Sequence, residues 1–392
     1  MRKSKSLKKK DVYFLIEPEG IRLIYADNAA TTKLDIDAFE AMKNYLVDSY
    51  GNPSQPYSFS RNTRKALKDS REVIAACINA SPEEIFFTSG GTESDNWALK
   101  GYVQKSNVNN VIISAIEHHA VLHTADALKR EGYDVCILDV THEGVVLPST
   151  LEIRLNGSAS LVSIMMANNE IGSIQPISEL TRVSHEQGAV FHTDAVQAVG
   201  HIEIDVKKLN VDMLSASAHK FNGPKGIGFL YIKKGIELYP FMDGGAQEKA
   251  MRAGTENIPA IVGMAVALKK NCDSIMVENR RLLGLEKTLI KALEQNNLQF
   301  IRNGADDHLP GNISLSFKDA DGEMLLHRLD LMGISVSTGS ACDSKNTQVS
   351  HVIKAIGIPG EYAKGTIRIS LGRENTEEDV IAIVSALSKV LS

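Results

Sequence analysis

The chain has few cysteines for its length and no long apolar run. Its four cysteines, among 392 residues, stand far apart and form no CxxC pair. This argues against the usual zinc motifs and against a secreted disulfide framework, and it is typical of a protein in a reducing cytoplasm. No apolar stretch approaches the roughly 18 residues that a membrane-spanning helix needs. We therefore expect a cytoplasmic protein without membrane contact.

The chain also lacks a strong net charge. A net charge of -5 gives no field that would gather nucleic acid or acidic lipid, so no nucleic-acid partner is expected. The lysine-rich residues 1–20 predict a disordered, solvated extension rather than a nucleic-acid-binding arm. Hydrophobic residues make up 43% and charged residues 23% of the chain, which is ordinary for a globular protein of two or three domains.

Strand-like apolar runs alternate with helical patterns between about residues 84 and 231. Such alternation predicts an α/β fold, a mostly parallel sheet covered by helices on both faces. Ligands in these folds bind beyond the carboxyl ends of the strands. The predicted strands are 84–88, 111–114, 135–138, 160–166, 189–192, 211–215 and 228–232, and helices are predicted at 120–130 and 177–187.

After Pro259 the pattern changes to that of a smaller α+β unit. A long helix is predicted over residues 261–295, either continuous or broken near Cys272. Strands at 312–317 and 366–371 and helices at 322–332 and from Thr376 follow, and residues 21–26 should pack with them. We therefore divide the chain into the extension 1–20, a large domain 34–260, and a small domain 21–33 plus 261–392.

A lysine and an aspartate carry the strongest chemical signal. Lys220 stands between the small polar cluster Ser217 to His219 and a Gly/Pro turn, and Asp194 ends an apolar strand. Pyridoxal phosphate requires an amine for a Schiff base and a carboxylate for its pyridinium nitrogen. Taken alone, these residues also have ordinary structural explanations: Lys220 could be a surface lysine and His219 a loop histidine.

The segment 88–95, Thr-Ser-Gly-Gly-Thr-Glu-Ser-Asp, follows a predicted strand and opens a helix. Its glycines let the backbone approach an anion, and free amides at a helix start favour phosphate. Thr92 and Asp95 have the spacing of a helix N-cap pair. An ordinary glycine-rich turn explains this segment equally well when it is considered alone.

Further polar side chains follow other predicted strands. Gln197 and Asn169 could contact a ring oxygen, although turn chemistry also explains an asparagine. His118 or His119 could stack on a cofactor or relay a proton, because histidine has a pKa of about 6.5. Arg368 alternates with isoleucines in its strand and could bind a substrate carboxylate through two N–H groups, or be simply exposed.

Cys342 is a cysteine in a polar, loop-like setting, Gly-Ser-Ala-Cys-Asp at residues 339–343. A thiol with a pKa of about 8.5 is partly thiolate at neutral pH and is nucleophilic. Lys345 would increase the thiolate fraction, whereas Asp343 would decrease it. The remaining cysteines lie in apolar patterns and are predicted to be inert: Cys77, Cys136 and Cys272.

In this order, the motifs resemble those of the cysteine desulfurases, in the class V aminotransferase superfamily. The resemblance implies a fold-type I pyridoxal phosphate enzyme with a seven-stranded, mostly parallel sheet, a smaller α+β domain and a homodimer with sites at the subunit interface. It extends from about Tyr25 to the C-terminus and rests on the segments 25–32, 51–54, 88–95, 117–118, 168–172, 192–200, 219–228, 251–255, 339–342 and 367–373.

The resemblance also implies a role for each site residue. Lys220 would form the Schiff base, Cys342 would accept sulfur, and His118 rather than His119 would stack on the ring. Arg368 and Asn169 would bind the substrate carboxylate, and no metal is expected. The other residues assigned to the cofactor are Asp194 at the ring nitrogen, Gln197 and Asn169 at the ring oxygen, and Gly91, Thr92, Ser217, His219 and, from a second subunit, Thr255 at the phosphate.

The reaction implied is conversion of L-cysteine to L-alanine, with sulfur carried on Cys342 as a persulfide and passed to an acceptor protein. That acceptor would be an iron–sulfur scaffold or a thiolation enzyme. The alternatives are a selenocysteine lyase, another class V lyase or aminotransferase, and a non-catalytic sulfur-relay subunit. The chain departs from the family pattern in residues 1–20 and 346–351, so the resemblance does not identify the acceptor.

Overall fold

The computed structural model describes residues 22–106, 108–155, 157, 160–338 and 349–392. The extension predicted at residues 1–20 and Cys342 lie outside these ranges. The strands are β1 (Ile24–Tyr25), β2 (Ile85–Thr88), β3 (Asn110–Ser114), β4 (Asp134–Leu138), β5 (Ser160–Ser163), β6 (Val190–Asp194), β7 (Met213–Ser217), β8 (Gly228–Ile232), β9 (Phe300–Asn303), β10 (Asn312–Phe317), β11 (Ile334–Ser335) and β12 (Thr366–Ser370).

The helices connect and cover these strands. They are α1 (Ile36–Val47), α2 (Arg61–Cys77), α3 (Gly91–Lys105), α4 (His119–Arg130), α5 (Pro148–Leu155), α6 (Ile177–Glu186), α7 (Val206–Leu209), α8 (Ile258–Gln295), α9 (Gly322–Asp330), α10 (His351–Ala355), α11 (Gly360–Ala363) and α12 (Glu377–Leu391). Within the described ranges, no helix combines the length and apolar content needed to cross a membrane.

A seven-stranded sheet with the order β2-β8-β7-β6-β5-β3-β4 forms the centre of the larger part. Only β8 in this sheet runs antiparallel to its neighbours. Successive residues of β3 pack on opposite faces of the sheet. Ile112 belongs to one apolar core, and Val111 and Ile113 belong to another. Helices thus cover both faces, as expected for buried parallel strands, and the predicted α/β fold is confirmed.

One strand is displaced from its predicted position, with consequences for the site. The prediction placed it at residues 211–215, whereas β7 pairs with β8 from Met213 to Ser217. Asp212 immediately precedes β7, and its carboxylate accepts from the Phe191 N–H and contacts His185. The strand continues to Ser217 and ends immediately before the turn that holds Lys220.

The smaller part contains an antiparallel sheet with the order β12-β10-β9 and the parallel pair β1–β11. The prediction that residues 21–26 pack here agrees with the β1–β11 pairing of Ile24 with Ile334. Its apolar core is separate from the two cores of the large sheet, with residues from α8, α9 and α12 among its members. The predicted domain boundaries stay a prediction, and the one at residue 260 falls inside the first turn of α8.

Helix α8 is continuous, so the alternative of a break near Cys272 is wrong. No proline follows Pro259 in this helix, and the Asn271 side chain donates to the Ala267 carbonyl within the helix and to the Phe221 carbonyl outside it. The first half of α8 packs against the large sheet and its second half against the small one. A single rigid helix thus links the two sheets.

Three consecutive residues before α8 have left-handed backbone conformations. Glu248, Lys249 and Ala250 have φ angles of 45°, 59° and 61°, although residues with a Cβ rarely adopt them. The buried Glu248 carboxylate holds this turn because it accepts bonds of 2.9 and 2.6 Å from Arg71 and one of 2.9 Å from the Phe87 N–H. The ion pair therefore maintains a strained turn just before Thr255.

Replacing Ala250 with glycine should stabilise the protein. The side chain is exposed, so relief of the left-handed strain should outweigh the extra entropy of glycine in the unfolded chain, with a gain of about 0.5–1 kcal/mol. Chemical denaturation measures the free energy of unfolding. The control Ala382→Gly, inside α12, should instead lose about 1 kcal/mol; equal losses in both variants would contradict the prediction.

Candidate active site

A cavity of about 260 Å³ opens beyond the carboxyl ends of β2, β3, β5, β6 and β7. The segments that follow neighbouring parallel strands converge at this edge of the sheet. Thr255 does not line the cavity and lies exposed on the surface. The predicted site residues that do line it are Gly91, Thr92, His118, Asn169, Asp194, Gln197, Ser217, His219, Lys220 and Arg368.

Lys220 and Asp194 lie on neighbouring strand ends. Lys220 stands in the short turn after β7, and its Nζ donates to the carbonyls of Ala29 and Ala30 at 2.7 and 2.9 Å. Asp194 is the last residue of β6 and accepts from the Val196 N–H at 2.9 Å. Burial raises the pKa of Asp194 to about 6, although Val196 and the Lys220 ammonium oppose this rise. Asp194 is therefore mainly an anion at neutral pH.

His118, and not His119, faces this cavity. Its Nδ1 accepts from the Ala120 N–H at 3.1 Å at the start of α4, so the proton of the neutral ring is on Nε2. Burial, with the Lys220 charge second, lowers the pKa of His118 to about 4. The ring is therefore neutral at physiological pH and offers one N–H donor. His119 instead lines a second cavity with His123 and His351.

The start of α3 forms one end of the cavity. Free backbone amides at a helix N-terminus favour an anion, and Thr92, Ser217 and His219 contribute polar side chains beside them. Glycine is required at Gly91, because a Cβ there would come within 2.5 Å of the Val196 Cγ2 atom. Burial, followed by the charges of Lys220 and Lys225, lowers the pKa of His219 to about 4.

The predicted N-cap pair of Thr92 and Asp95 is wrong. Helix α3 begins at Gly91 with Gly90 as its N-cap, and no side chain caps it. Thr92 therefore lies in the first turn, where its side chain is exposed to the cavity mouth. Asp95 lies one turn deeper and is 1% exposed. The glycines allow the helix to start two residues earlier than the sequence pattern suggested.

Arg368 also lines the cavity. It is 5% exposed, and its guanidinium donates to the Asn169 carbonyl at 2.8 Å and to the Asp27 carboxylate at 2.6 Å. Its Nε is buried without a hydrogen-bond partner among the described residues. The Gln197 amide donates to the Ala29 carbonyl at 3.0 Å. A buried, incompletely satisfied guanidinium at a cavity wall is suited to an incoming carboxylate.

Three buried titratable residues that we did not predict as site residues accompany the predicted ones, and one of them, Asp95, lines the cavity. His192 contacts Ser163 at 2.8 Å and Ser215 at 3.0 Å, and burial lowers its pKa to about 3. Burial, and then the charge of Asp194, raises the pKa of Asp95 well above its usual range. The third of these residues is Glu117. Alternation along β6 could have indicated His192, which shares a strand face with Asp194.

Glu117 is a fully buried carboxyl next to His118. Its Oε1 accepts from the Met165 N–H at 2.9 Å and from the Ser114 hydroxyl, whereas Oε2 has no partner in the described part of the chain. Burial raises the pKa of Glu117 from 4.5 to about 8. Between these pH values the unfolded chain loses this proton while the folded protein keeps it, so this group lowers stability as pH rises.

Replacing Glu117 with glutamine should remove that pH dependence. Relative to the parent protein, Glu117→Gln should gain about 3–5 kcal/mol of unfolding free energy between pH 4.5 and pH 8. Denaturant titrations at both pH values give this difference, and any constant cost of the substitution cancels. The control Glu179→Gln, on the exposed face of α6, should show almost no change. A relative loss of stability at higher pH would refute the buried, protonated state of Glu117.

Comparisons with known proteins agree with this fold and site. The Aminotransferase class-V family model matches residues 24–383. The chain is 46% identical to cysteine desulfurase IscS of Clostridium botulinum, over 94% of each chain. It resembles the structure of a NifS-like protein (TM-score 0.89, 37% identity, 94% of this chain and 99% of that one). It also resembles SspA solved in complex with cysteine (TM-score 0.79, 35% identity, 89% and 98% covered).

Fold and site together define a fold-type I enzyme that depends on pyridoxal phosphate. The chain belongs to the aminotransferase class-V family and, within it, to the cysteine desulfurases. The family resemblance predicted from the motifs is therefore confirmed. Among the described residues, no group of three or more His, Cys, Asp and Glu side chains is arranged to hold a metal ion.

The side chains present fit the cofactor. The cavity combines an amine, a strand-end carboxylate that is mainly ionised, a neutral imidazole and an anion-binding helix start. The Gly91 position leaves no room for a Cβ, so the backbone itself forms that wall. These are the groups that a phosphorylated pyridine aldehyde requires.

Proposed function

We propose that the protein converts L-cysteine to L-alanine and transfers the sulfur to Cys342 as a persulfide, from which it passes to an acceptor protein. The observation that carries this proposal is the convergence of Lys220, Asp194 and Arg368 on one cavity. Ser337 lines the same cavity and precedes Cys342 by five residues. The chain thus links the site directly to a nucleophilic thiol.

The positions of the residues around the cavity support the cofactor contacts that the resemblance implied. Lys220 would bind it covalently, Asp194 would pair with the ring nitrogen, and the His118 ring would lie against the ring face. Bound pyridoxal phosphate supplies a protonated pyridine ring that accepts the electron pair released at the substrate α-carbon. The remaining contacts would come from Gln197 and Asn169 at the ring oxygen, and from Gly91, Thr92, Ser217 and His219 at the phosphate.

The chain's own residues then carry out the transfer. The Arg368 guanidinium and the Asn169 side chain bind the α-carboxylate of L-cysteine. The Lys220 amine removes the proton from the substrate α-carbon. The Cys342 thiolate attacks the substrate sulfur, so that an S–S bond forms while the Cβ–S bond breaks and its electron pair stays on carbon. His118 gives its Nε2 proton to Cβ and regains a proton from the substrate thiol, Lys220 returns its proton to the α-carbon, and the carbon product leaves as L-alanine.

We also propose a cytoplasmic homodimer in which Thr255 of a second copy completes the phosphate site. Its exposure outside the cavity of its own chain supports this arrangement. Exposed aromatic side chains at Tyr50, Tyr57 and Phe59 offer apolar surface for a second copy. Cys77, Cys136 and Cys272 form no disulfide with one another, which suits a reducing compartment. An iron–sulfur scaffold is the preferred acceptor, because the relative from Clostridium botulinum is named IscS.

Mass spectrometry of the protein loaded with pyridoxal phosphate and exposed to L-cysteine tests this function. We expect L-alanine to form and one sulfur atom to be added to the peptide that contains Cys342. L-selenocysteine and 2-oxo acids, assayed in parallel, distinguish a selenocysteine lyase or an aminotransferase. No L-alanine, or added sulfur only on another cysteine, would contradict the proposal.

A further inference from the structure

Asp27 holds the Arg368 guanidinium from outside the cavity. Its Oδ1 lies 2.6 Å from the Arg368 Nη2. Arg368 and Asn169 line the cavity, whereas Asp27 does not. The buried Nε of Arg368 has no partner among the described residues. The ion pair thus uses one N–H of the guanidinium and leaves donor capacity for a second carboxylate.

The backbone places Asp27 rigidly beside Arg368. Asp27 forms a bridge with Ser370 of β12, two residues beyond Arg368. The next residue, Asn28, donates to the Ser370 carbonyl through both its backbone N–H and its side chain, at 3.1 and 2.9 Å. The Tyr25 hydroxyl lies 2.7 Å from the Thr31 carbonyl oxygen and 3.0 Å from that of Asp27, so its one proton is shared between them. The carboxylate is therefore fixed before any substrate arrives.

A fixed carboxylate has two opposite effects on a neighbouring anion site. It orients the planar guanidinium, which strengthens directional binding of a second carboxylate. It also compensates the arginine charge and repels the second carboxylate at short range. The charge of Asp27 and its hydrogen-bonding geometry should therefore be separable by substitution.

We propose that Asp27 is a positioning residue that sets the affinity of the Arg368 subsite: its hydrogen bond orients the guanidinium, and its charge weakens binding of the amino-acid carboxylate. The inference rests on the proposed function, in which Arg368 binds that carboxylate. Weak binding of the carboxylate favours release of L-alanine, the product that leaves through the same subsite. Asp27 thus limits product inhibition.

Asp27→Asn separates charge from geometry, because the amide oxygen can still accept from Nη2. The probe is L-alanine, titrated into the holoenzyme and followed by cofactor absorbance. We expect L-alanine to bind about tenfold more tightly to Asp27→Asn than to the parent protein, with a similar fall in the KM for L-cysteine. Asp27→Ala loses both effects and should bind L-alanine more weakly than Asp27→Asn. Unchanged or weaker binding to Asp27→Asn would overturn the inference.

Two controls isolate the carboxylate effect. L-Alaninamide lacks the carboxylate, so Asp27→Asn should not tighten its binding; equal tightening of both ligands would also overturn the inference. Asp37→Asn, an exposed carboxylate paired with Lys270, should leave both affinities unchanged. Should Asp27→Asn not fold, Asp27→Ser provides the neutral hydroxyl acceptor for the same titration.

A variant of Arg368 tests the proposed function separately from the role of Asp27. Arg368→Ala should weaken L-alanine binding strongly if Arg368 holds the carboxylate. Unchanged L-alanine binding to Arg368→Ala would refute the proposed role of Arg368 and, with it, the inference about Asp27. If Arg368→Ala weakens binding but Asp27→Asn fails to tighten it, only the role of Asp27 is refuted.

Discussion

Replacing Lys220 with alanine should abolish L-cysteine turnover, with a loss of about a thousandfold or more in kcat/KM. Lys220 is the one lysine that lines the cavity in the described part of the chain. Its amine both anchors the cofactor and moves the proton at the substrate α-carbon. No neighbouring group can replace it, because the pKa values of His118 and His219 are both lowered to about 4 and neither ring is a primary amine.

The cofactor itself should still bind to Lys220→Ala, although without a covalent bond. Asp194, His118 and the helix start at Gly91 still line the cavity without the lysine side chain, although loss of its charge raises the pKa values of Asp194 and His118. The absorbance spectrum should therefore change while the cofactor remains exchangeable on dialysis. Lys208→Ala, in which an 85% exposed side chain is removed, should retain full turnover. Turnover by Lys220→Ala close to that of the parent protein would exclude Lys220 as the reactive amine.

The residues at strand ends could be predicted from sequence because local pattern specifies them. Lys220, Asp194 and His118 each follow an apolar run, and the carboxyl ends of parallel strands meet at one edge. The two-residue error in β7 arose because Val211 and Asp212 continue the apolar and polar pattern, whereas pairing with β8 begins at Met213 and extends to Ser217. Local pattern does not contain the register of that pairing.

The supporting residues could not be predicted, because distant segments create their environment. Asp27 and Arg368 are 341 positions apart, and only the pairing of β1 and the following residues with β11 and β12 brings them together. Asp95 and Glu117 look like exposed helix-start and turn acids in the sequence, yet both are fully buried. Their altered protonation follows from tertiary burial, which no window of neighbouring residues encodes.

Replacing Cys342 with serine should remove sulfur transfer and leave the cofactor site intact. Cys342 lies outside the described residues, but five peptide units connect it to Ser337 at the cavity wall. An extended chain covers at most about 3.5 Å per residue, so covalent connection alone keeps this residue within about 18 Å of Ser337. The other cysteines are poor substitutes because Cys77, Cys136 and Cys272 do not line the cavity. Burial also raises the pKa of Cys136, and a hydrogen bond with Cys272, followed by burial, raises that of Cys77.

Because a serine hydroxyl cannot form an S–S bond, we expect Cys342→Ser to release sulfide from L-cysteine at least about a hundredfold more slowly than the parent protein. The variant should keep the cofactor absorbance and its spectral response to L-cysteine, since Lys220, Asp194 and Arg368 are unchanged. Cys136→Ser, in β4 at the edge of the sheet, is the matched control and should retain full activity. Sulfide release that persists in Cys342→Ser but falls in Cys136→Ser would assign the sulfur acceptor to β4 and refute the proposed transfer.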